Sequence, residues 1–171
     1  MNNVINIDPS QNELPSEFAD RLGIYYTKQV TTLHKKINGQ FFTPIPIAQL
    51  LASFSGVSKP KMKILDPGCG TAILSCALIE HLIEIESRIE QLDLIAYETD
   101  FELIPFSQNV LDYLKEWLLK KGIRFNYILH QSDFILENAS VLKEVKLPSL
   151  FEETYKVEKD FDIIISNPPY F

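Results

Sequence analysis

The order of short apolar runs and longer amphipathic segments constrains the fold of this chain more than any other feature. Runs typical of buried strands occur at 61–65, 92–97, 125–129 and 163–165, and apolar residues at helical spacing fill the first two intervals. Strands that alternate with helices form parallel sheets with right-handed crossovers and helices on both faces. The sequence therefore predicts an α/β fold, a doubly wound and mostly parallel sheet to which this chain contributes four strands.

Length and composition place this sheet in one ordinary globular domain. The 171 residues can bury a substantial core, and 46% of them are hydrophobic and 23% charged. No apolar run is long enough to span a membrane, and Cys69 and Cys76 lack a metal-binding spacing. We therefore expect a cytoplasmic protein with reduced thiols and no membrane contact. The net charge of −7 argues against a nucleic-acid-binding surface within this segment alone.

A glycine-rich turn follows the first predicted strand, with the sequence Asp-Pro-Gly-Cys-Gly-Thr at 66–71. Gly68 and Gly70 allow the backbone to turn sharply and to come within contact distance of a ligand. The third glycine of a dinucleotide fingerprint would fall at position 73, which is occupied by Ile73. A pyrophosphate cofactor is therefore disfavoured, and the turn by itself is only a weak indication of a cofactor site.

Acidic and aromatic residues follow the next two predicted strands. Glu98 and Thr99 come after the second strand, where a carboxylate can accept hydrogen bonds from both hydroxyls of a ribose. The distance from Asp66 is 32 positions (98 − 66), against a usual value of about 20, and we attribute the excess to a helix extended through 84–90. After the third strand, Asp133 can accept from an adenine amino group and the following aromatic residue can stack on the ring.

The fourth predicted strand ends in an amide and two prolines. Asn167 is followed by Pro168 and Pro169, which remove two backbone donors and stop the hydrogen-bond ladder. Ligands of open α/β sheets bind outside the carboxyl ends of the strands. We therefore expect the residues after all four strands to meet at one site.

The region before the first strand is predicted to contain a polar arm and a helix. Residues 1–13 are expected to form a loose arm, and apolar spacing predicts a helix over 15–37 that is closed by Asn-Gly at 38–39. His34 and the two lysines after it are best explained as a solvated face of this helix.

A second helix is predicted to begin at Thr43, with Thr43 as the N-cap and Pro44 at the first helical position. The plainer interpretation is a capped helix, and the sharper one is that its free N–H groups receive an anionic group such as a carboxylate. The apolar stripe of this helix is predicted to consist of Ile47, Leu50, Leu51 and Phe54.

These segments together resemble the γ-class adenine-N6 DNA methyltransferases of restriction–modification systems. The resemblance runs from about Gly39 to Phe171 and includes the class-specific order of Phe-Phe-Thr-Pro at 41–44, the glycine turn, and Asn-Pro-Pro-Tyr at 167–170. It implies a Rossmann-like, S-adenosylmethionine-dependent enzyme that methylates an adenine flipped out of double-stranded DNA. By this resemblance residues 1–38 are an N-terminal arm and helix, and residues 39–171 are the catalytic domain.

The resemblance also implies roles for individual residues of the cofactor site. Thr43 would lie near the methionine carboxylate, Glu98 would take the ribose hydroxyls with Thr99 beside the adenine, and Asp133 would bind the adenine amino group. Phe134 would cover the adenine ring. The full set implied to bind S-adenosylmethionine is Phe41, Thr43, Asp66, Gly68, Gly70, Glu98, Thr99, Asp133 and Phe134.

Three residues are implied to act on the target base: Asn167, Pro168 and Tyr170. An exocyclic adenine amine is a poor nucleophile because its lone pair is delocalised into the ring. If the Asn167 side-chain oxygen and the Pro168 carbonyl each accept one N–H bond, the lone pair is directed at the methyl donor by preorganised acceptors. Tyr170 would stack on the flipped base.

Enzymes of this class continue beyond the Asn-Pro-Pro-Tyr segment, with three more strands and a separate target-recognition domain. We therefore expect an incomplete catalytic domain, truncated after its fourth strand, which is inactive or needs a partner and reaches DNA only through the complete protein. The fourth strand would have an open edge, which favours pairing with another chain. A second chain or a homodimer is expected to cover it.

Two other classes of function stay open at this point. Protein-glutamine N5 methyltransferases and some methyltransferases of guanine in ribosomal RNA also carry Asn-Pro-Pro-Tyr, because an amide or aryl amine needs the same two acceptors. The segment at 40–44 favours the DNA class. The remaining alternative is a non-catalytic fragment that binds the cofactor or a partner chain.

Overall fold

The computed structural model describes residues 7–31, 33–34, 42–56, 59–86, 88–144 and 161–168, with backbone only for 140–144. In chain order the elements are α1 (Pro15–Gln29), α2 (Ile45–Ser53), β1 (Lys61–Asp66), α3 (Ile73–Ile85), β2 (Gln91–Tyr97), α4 (Ile104–Leu119), β3 (Arg124–His130), α5 (Phe134–Glu144) and β4 (Ile163–Ile164). Within the described ranges, none of the helices has the length and apolar character needed to cross a membrane.

The four strands form one parallel sheet in the order β3-β2-β1-β4, which confirms the predicted architecture. β1 pairs with β2 from Lys61↔Gln91 onward, and with β4 through Leu65↔Ile164 and the pair before it. The strand order reverses between β1 and β4, and such a switch point is where α/β sheets bind their ligands. The carboxyl ends of β1, β2 and β4 therefore form the region in which a site is expected.

Helices lie on both faces of the sheet. Alternate β1 and β2 residues, such as Ile64 and Leu94, are buried against the layer formed by α1 to α4. On the opposite face, α5 begins with Phe134, whose ring meets Tyr97 edge-on at 5.1 Å. Because successive side chains of a strand point to opposite faces of the sheet, each strand contributes alternate residues to the two helical layers.

The first helix is shorter than predicted. α1 ends at Gln29, and Val30 is extended with φ −99° and ψ 151°. The Val-Thr-Thr run at 30–32 explains this end, because β-branched residues lower helix propensity. The predicted closing signal at 38–39 lies outside the described residues.

The described end of the N-terminal arm is tied down, so the prediction of a loose arm is wrong there. The Asn109 side chain donates to the Ile7 carbonyl at 2.9 Å, and the Tyr113 hydroxyl donates to the Glu13 carbonyl at 2.5 Å. Arg21 forms a salt bridge with the Glu13 carboxylate at 2.7 Å. These bonds fasten the arm to α4 and to α1.

A carboxylate of α3 fastens the start of α1. The Glu80 oxygens accept from the Ser16 backbone N–H at 2.7 Å and from its hydroxyl at 2.6 Å. Donors in the first turn of a helix lack intrahelical partners, so this contact satisfies one of them from a distant element. Burial raises the pKa of Glu80, while both bonds from Ser16 oppose that shift.

The second helix differs from its prediction at its start and in its buried face. Pro44 is the N-cap, so Thr43 lies outside the helix. α2 buries Ala48 and Ala52 rather than the larger apolar residues, and Phe54 is 75% exposed. Small side chains allow α2 to approach α3 closely, which the apolar pattern alone does not reveal.

Two further boundaries bear on the site. α3 ends at Ile85, so the helix does not extend through 84–90 as predicted. α4 ends at Leu119, and Gly122, at φ +77°, lies in the turn after it, where Ile123 N donates to the Leu118 carbonyl.

Asp162 anchors the short fourth strand. Its carboxylate accepts from Lys59 Nζ at 2.6 Å and from the Lys63 backbone N–H at 2.9 Å. β4 is an edge strand of the described sheet, and its Ile164 side chain is 64% exposed. The open edge expected from the sequence is therefore present in this part of the chain.

Candidate functional site

The glycine loop, which we define as residues 66–72, leaves the end of β1 by a left-handed turn. Gly70 has φ +55° and Ala72 has φ +63°, so the chain reverses within three residues before α3. The Cys69 N–H donates to the Tyr97 carbonyl at 2.8 Å, which joins the loop to the end of β2. A Cβ atom on Gly68 would meet no atom within 4 Å, so this part of the loop faces open space.

Asp66 supports the glycine loop from inside. Its side chain is fully buried and accepts from the Ser75 hydroxyl at 2.7 Å and, more weakly, from the Gly68 N–H at 3.4 Å. Burial raises the pKa of Asp66 to about 7, the Ser75 bond opposes the shift, and the Glu98 carboxylate adds to it. Asp66 therefore supports the loop, and the cofactor contact implied by the resemblance stays a prediction.

Glu98 joins the glycine loop to the residues after β2. The Gly70 N–H donates to Glu98 Oε2 at 3.0 Å, and the Asp100 N–H donates to Oε1 at 2.8 Å. Burial raises the pKa of Glu98, and the backbone donors oppose that shift. Thr99 Oγ1 also donates to Oε1, at 3.5 Å, so little of the carboxylate's acceptor capacity, about four positions, is left unless a ligand hydroxyl displaces Thr99.

A polar cluster that sequence reasoning missed lies behind Glu98. The buried Tyr26 hydroxyl donates to Asp100 Oδ2, and His34 Nε2 lies 2.8 Å from the same oxygen. Asp100 is 3% exposed, and its other oxygen accepts from the Glu102 N–H at 3.0 Å. The assignment of His34 to a solvated helix face is therefore wrong. The only sequence signal was an acidic residue two positions after Glu98.

Ser107 of α4 fixes the carbonyl side of the glycine loop. Its hydroxyl lies 2.5 Å from the Gly70 carbonyl and 3.2 Å from the Leu103 carbonyl, so one donor is shared between two acceptors. Gly70 is thus held through its N–H by Glu98 and through its carbonyl by Ser107. No motif in the sequence connected Ser107 with the turn.

Asp133 and Phe134 lie beyond the third strand, where the sequence predicted them. Asp133 Oδ1 caps α5 by accepting from the Ile135 N–H at 2.8 Å and from the Leu136 N–H at 3.0 Å. Phe134 packs edge-on against Tyr97. An adenine amino group bound by Asp133 would therefore donate to a carboxylate that also caps α5.

His130 packs at the end of β3. Its ring stacks on Tyr97 at 4.5 Å with an interplanar angle of 9°. The Glu98 N–H donates to the His130 carbonyl at 2.9 Å. The ends of β2 and β3 are thereby joined, and Thr99 lies exposed beside them.

The β4 tip, which we define as residues 165–168, meets the segment before α2. Asn167 Nδ2 donates to Thr43 Oγ1 at 3.0 Å. The contact brings together two candidate site residues, Asn167 and Thr43, that are far apart in sequence. Pro168, which follows Asn167, is exposed. Phe41 and Tyr170 lie outside the described residues.

A cavity of about 160 Å³ lies between α1 and the glycine loop. The Thr71 hydroxyl is buried here, and within the described part of the chain it has no hydrogen-bond partner. Buried polar groups are normally paired, so this hydroxyl suits a ligand with a polar group. The cavity is lined by Asp20, Gly23, Ile24, Thr27, Lys28, Phe42, Thr43, Thr71 and Ile73.

The two cysteines are buried free thiols, as the sequence predicted. Burial raises the pKa of both Cys69 and Cys76, and the nearby carboxylate of Asp66 adds to each shift. Both sulfurs therefore stay protonated near neutral pH and contribute packing volume.

Comparison with known proteins identifies relatives of most of the chain. A family model described as N-6 DNA methylase matches residues 20–171. The Type II methyltransferase M.AccI of Acinetobacter calcoaceticus is 30% identical over 130 residues, which are 71% of this chain and 23% of that protein. The chain thus spans less than a quarter of the length of this relative.

Solved structures give the same fold at lower sequence identity. A protein from Listeria monocytogenes, assigned to the class I S-adenosylmethionine-dependent methyltransferases, matches with a TM-score of 0.52 and 22% identity. The match covers 92% of this chain and 40% of that protein, and at this identity it supports the fold alone. The family model, in contrast, includes the glycine loop, Glu98 and the β4 tip, and we conclude that the chain belongs to the N-6 DNA methylase family.

Proposed function

We propose that this chain forms the cofactor-binding and catalytic part of an adenine-N6 DNA methyltransferase from a restriction–modification system. Family membership supports the reaction type. The observation that carries the proposal is the contact between Asn167 and Thr43, because it sets the candidate amine acceptor beside the segment proposed to hold the cofactor. The activity is proposed for the complete protein, of which this chain is expected to be a part.

The residues around the glycine loop fit S-adenosylmethionine. Open space at Gly68 admits a ligand close to the backbone, and the buried Thr71 hydroxyl suits the polar methionine end. Burial disfavours the charged forms of Asp66 and Glu98, and a cofactor with a sulfonium and an ammonium group would stabilise those charges. When bound, the cofactor supplies an electrophilic methyl group.

The residues proposed to bind the cofactor form three groups, one for each part of the molecule. Thr43 and Phe41 would hold the methionine end beside Gly68 and Gly70, with Asp66 supporting the loop. Glu98 would accept from the ribose hydroxyls. The adenine would lie toward Thr99, Asp133 and Phe134.

The β4 tip would orient the acceptor amine. The Asn167 side-chain oxygen and the Pro168 carbonyl would each accept one N–H bond, which directs the nitrogen lone pair without a strong base. Pro168 has a fixed φ, and because it precedes another proline its ψ is confined to extended values, so the direction of its carbonyl is restricted. Tyr170 is proposed to stack on the flipped base.

Double-stranded DNA is the proposed substrate, and the net charge of −7 implies that most of the contact with it lies outside this chain. The exposed edge at β4 is the proposed contact for a second chain, either another segment or a homodimer. A cytoplasmic location remains part of the proposal.

Two measurements test this function. Calorimetry with S-adenosylmethionine should give saturable binding, and labelled methyl groups should pass to duplex DNA rather than to a release factor or ribosomal RNA. Transfer to either alternative substrate would replace the DNA assignment with the corresponding one. Binding without transfer to any substrate would indicate a non-catalytic role, and absence of binding would rule out the cofactor site.

A further inference from the structure

Thr43 makes a contact that the start of a helix does not explain. It accepts from Asn167 Nδ2 at 3.0 Å, across 124 positions of the sequence. Its side chain is 6% exposed and makes no capping bond to α2, whose N-cap is Pro44. The hydroxyl is directed at the β4 tip rather than at its own helix.

The Thr43 oxygen is held by a restricted backbone. Pro44 has φ −62° and ψ 148°, and a second proline stands in the first turn of α2. A residue before proline is confined to extended conformations, and a β-branched side chain has few χ1 rotamers. In contrast, β4 is two residues long, Ile163 and Ile164, and one further ladder bond, from the Ile165 N–H to the Leu65 carbonyl at 2.9 Å, precedes Asn167.

The orientation of the Asn167 amide matters because its two ends have opposite hydrogen-bonding character. The nitrogen end has two donors and the oxygen end only accepts. An amide turned by 180° would present N–H bonds to the N–H bonds of an amine, and neither set would be satisfied. A bond that holds Nδ2 fixes the plane of the amide and turns Oδ1 to the opposite side from Thr43.

We infer that Thr43 is a positioning residue for the methyl-transfer step: it holds Asn167 Nδ2 and so keeps Asn167 Oδ1 turned toward the target amine. The inference rests on the proposed function. The Thr43 hydroxyl keeps its own hydrogen and lines the same cavity as Thr71, so one side chain connects the proposed methionine end with the amine acceptor.

The hydrogen bond itself is tested by NMR of protein labelled with ¹⁵N-asparagine, with Asn167→Ala used to assign the side-chain signal. In the unaltered protein, one Asn167 Hδ2 proton should exchange slowly with water. Thr43→Val, which replaces the hydroxyl by a methyl group, should accelerate that exchange by about tenfold or more, whereas Thr43→Ser should preserve the protection.

A matched control removes the other hydroxyl of the cavity. Thr71→Val should leave the Asn167 signal unchanged, because Thr71 has no hydrogen bond to Asn167 among the described residues. If Thr43→Val does not fold, Thr43→Ala replaces it. An unprotected Asn167 amide in the unaltered protein, or protection that survives loss of the Thr43 hydroxyl, would overturn the inference.

Kinetics separate positioning from cofactor binding. Thr43→Val should lower kcat by about tenfold to 100-fold at saturating cofactor and DNA, and Thr43→Ser should restore most of it. A loss confined to the KM for cofactor would overturn the positioning role. If the unaltered protein transfers no methyl group although Asn167 is protected, the proposed function fails while the hydrogen bond stands.

Discussion

The glycine loop and the β4 tip lie at the same edge of the sheet but are held in different ways. The loop is fixed from three sides, by Ser75 through Asp66, by Glu98 through the Gly70 N–H, and by Ser107 through its carbonyl. The β4 tip follows a two-residue strand at the edge of the described sheet. Within this tip, Ile165 packs into the core and Asn167 donates to Thr43.

This difference indicates where each part obtains its rigidity. The loop is built into the hydrophobic core, so its geometry should be as stable as the fold itself. In the β4 tip, Ile165 is buried in the core, but the residues after it are held at an edge, so their geometry should respond to single substitutions. Preorganised acceptors are effective only when they are held in place, and Thr43 therefore has a disproportionate effect on the tip.

The largest expected effect separates the two regions by function. In the complete protein, Asn167→Ala should lower kcat by roughly 10³-fold and change cofactor affinity by less than about threefold, because the lost acceptor serves the amine. Glu98→Ala should instead weaken cofactor binding by about 10- to 100-fold. Steady-state kinetics and calorimetry measure both. Equal losses of cofactor affinity in the two variants would contradict the division of roles.

The second effect concerns the pH dependence of the loop. The folded pKa of Asp66 is raised from 3.8 to about 7, so folding favours the protonated acid. Its stabilising contribution is complete below pH 3.8 and is lost as pH rises through 7, with an upper bound of roughly 4 kcal/mol. Urea denaturation from pH 4 to 8 should show this slope in the unaltered protein but not in Asp66→Asn.

A companion variant tests the cause of that slope. The Ser75 hydroxyl lowers the pKa of Asp66, so Ser75→Ala should move the loss of stability to higher pH. An Asp66→Asn protein with the same pH slope as the unaltered protein would show that another group carries the dependence.

The third effect concerns the polar cluster of Tyr26, His34 and Asp100. It tests whether this cluster joins α1 to the glycine loop. Asp100→Ala removes the acceptor used by Tyr26 and His34 and should cost about 2–3 kcal/mol of folding free energy. Tyr26→Phe removes one donor and should cost about 1 kcal/mol. Thermal and urea denaturation give both values. Equal costs would mean that Asp100 serves Tyr26 alone.

The smallest expected effect concerns the anchor of β4. Asp162→Ala removes the ion pair with Lys59, which is exposed, and should cost less than about 1 kcal/mol. The bond from Lys59 lowers the pKa of Asp162, so its contribution is present above the ordinary pKa and is lost as pH falls through the lowered value.

Lys59→Ala is the matched variant and should show a smaller loss, reduced at high salt, because Asp162 then keeps its bond from the Lys63 N–H. A cost of several kcal/mol in either variant would mean that β4 is as deeply built into the fold as the glycine loop, which would remove the contrast between the two regions.

Much of the fold follows from local sequence patterns. Strand positions were predicted within one or two residues, because alternating burial in β1 and β2 leaves a strong apolar pattern. α1 and α2 were less predictable. The end of α1 depends on a β-branched run that also fits the helical spacing, and the buried face of α2 is set by its close approach to α3.

The candidate site divides in the same way. The sequence by itself determined the chemistry after each strand, including the glycines, Glu98, Asp133 and Asn167, because those residue types are demanded locally by turns and by the ends of strands. Only the tertiary structure decided which side chains meet. Tyr26, His34, Ser107 and Thr43 acquire their partners through packing between elements far apart in the chain, and no local pattern records such contacts.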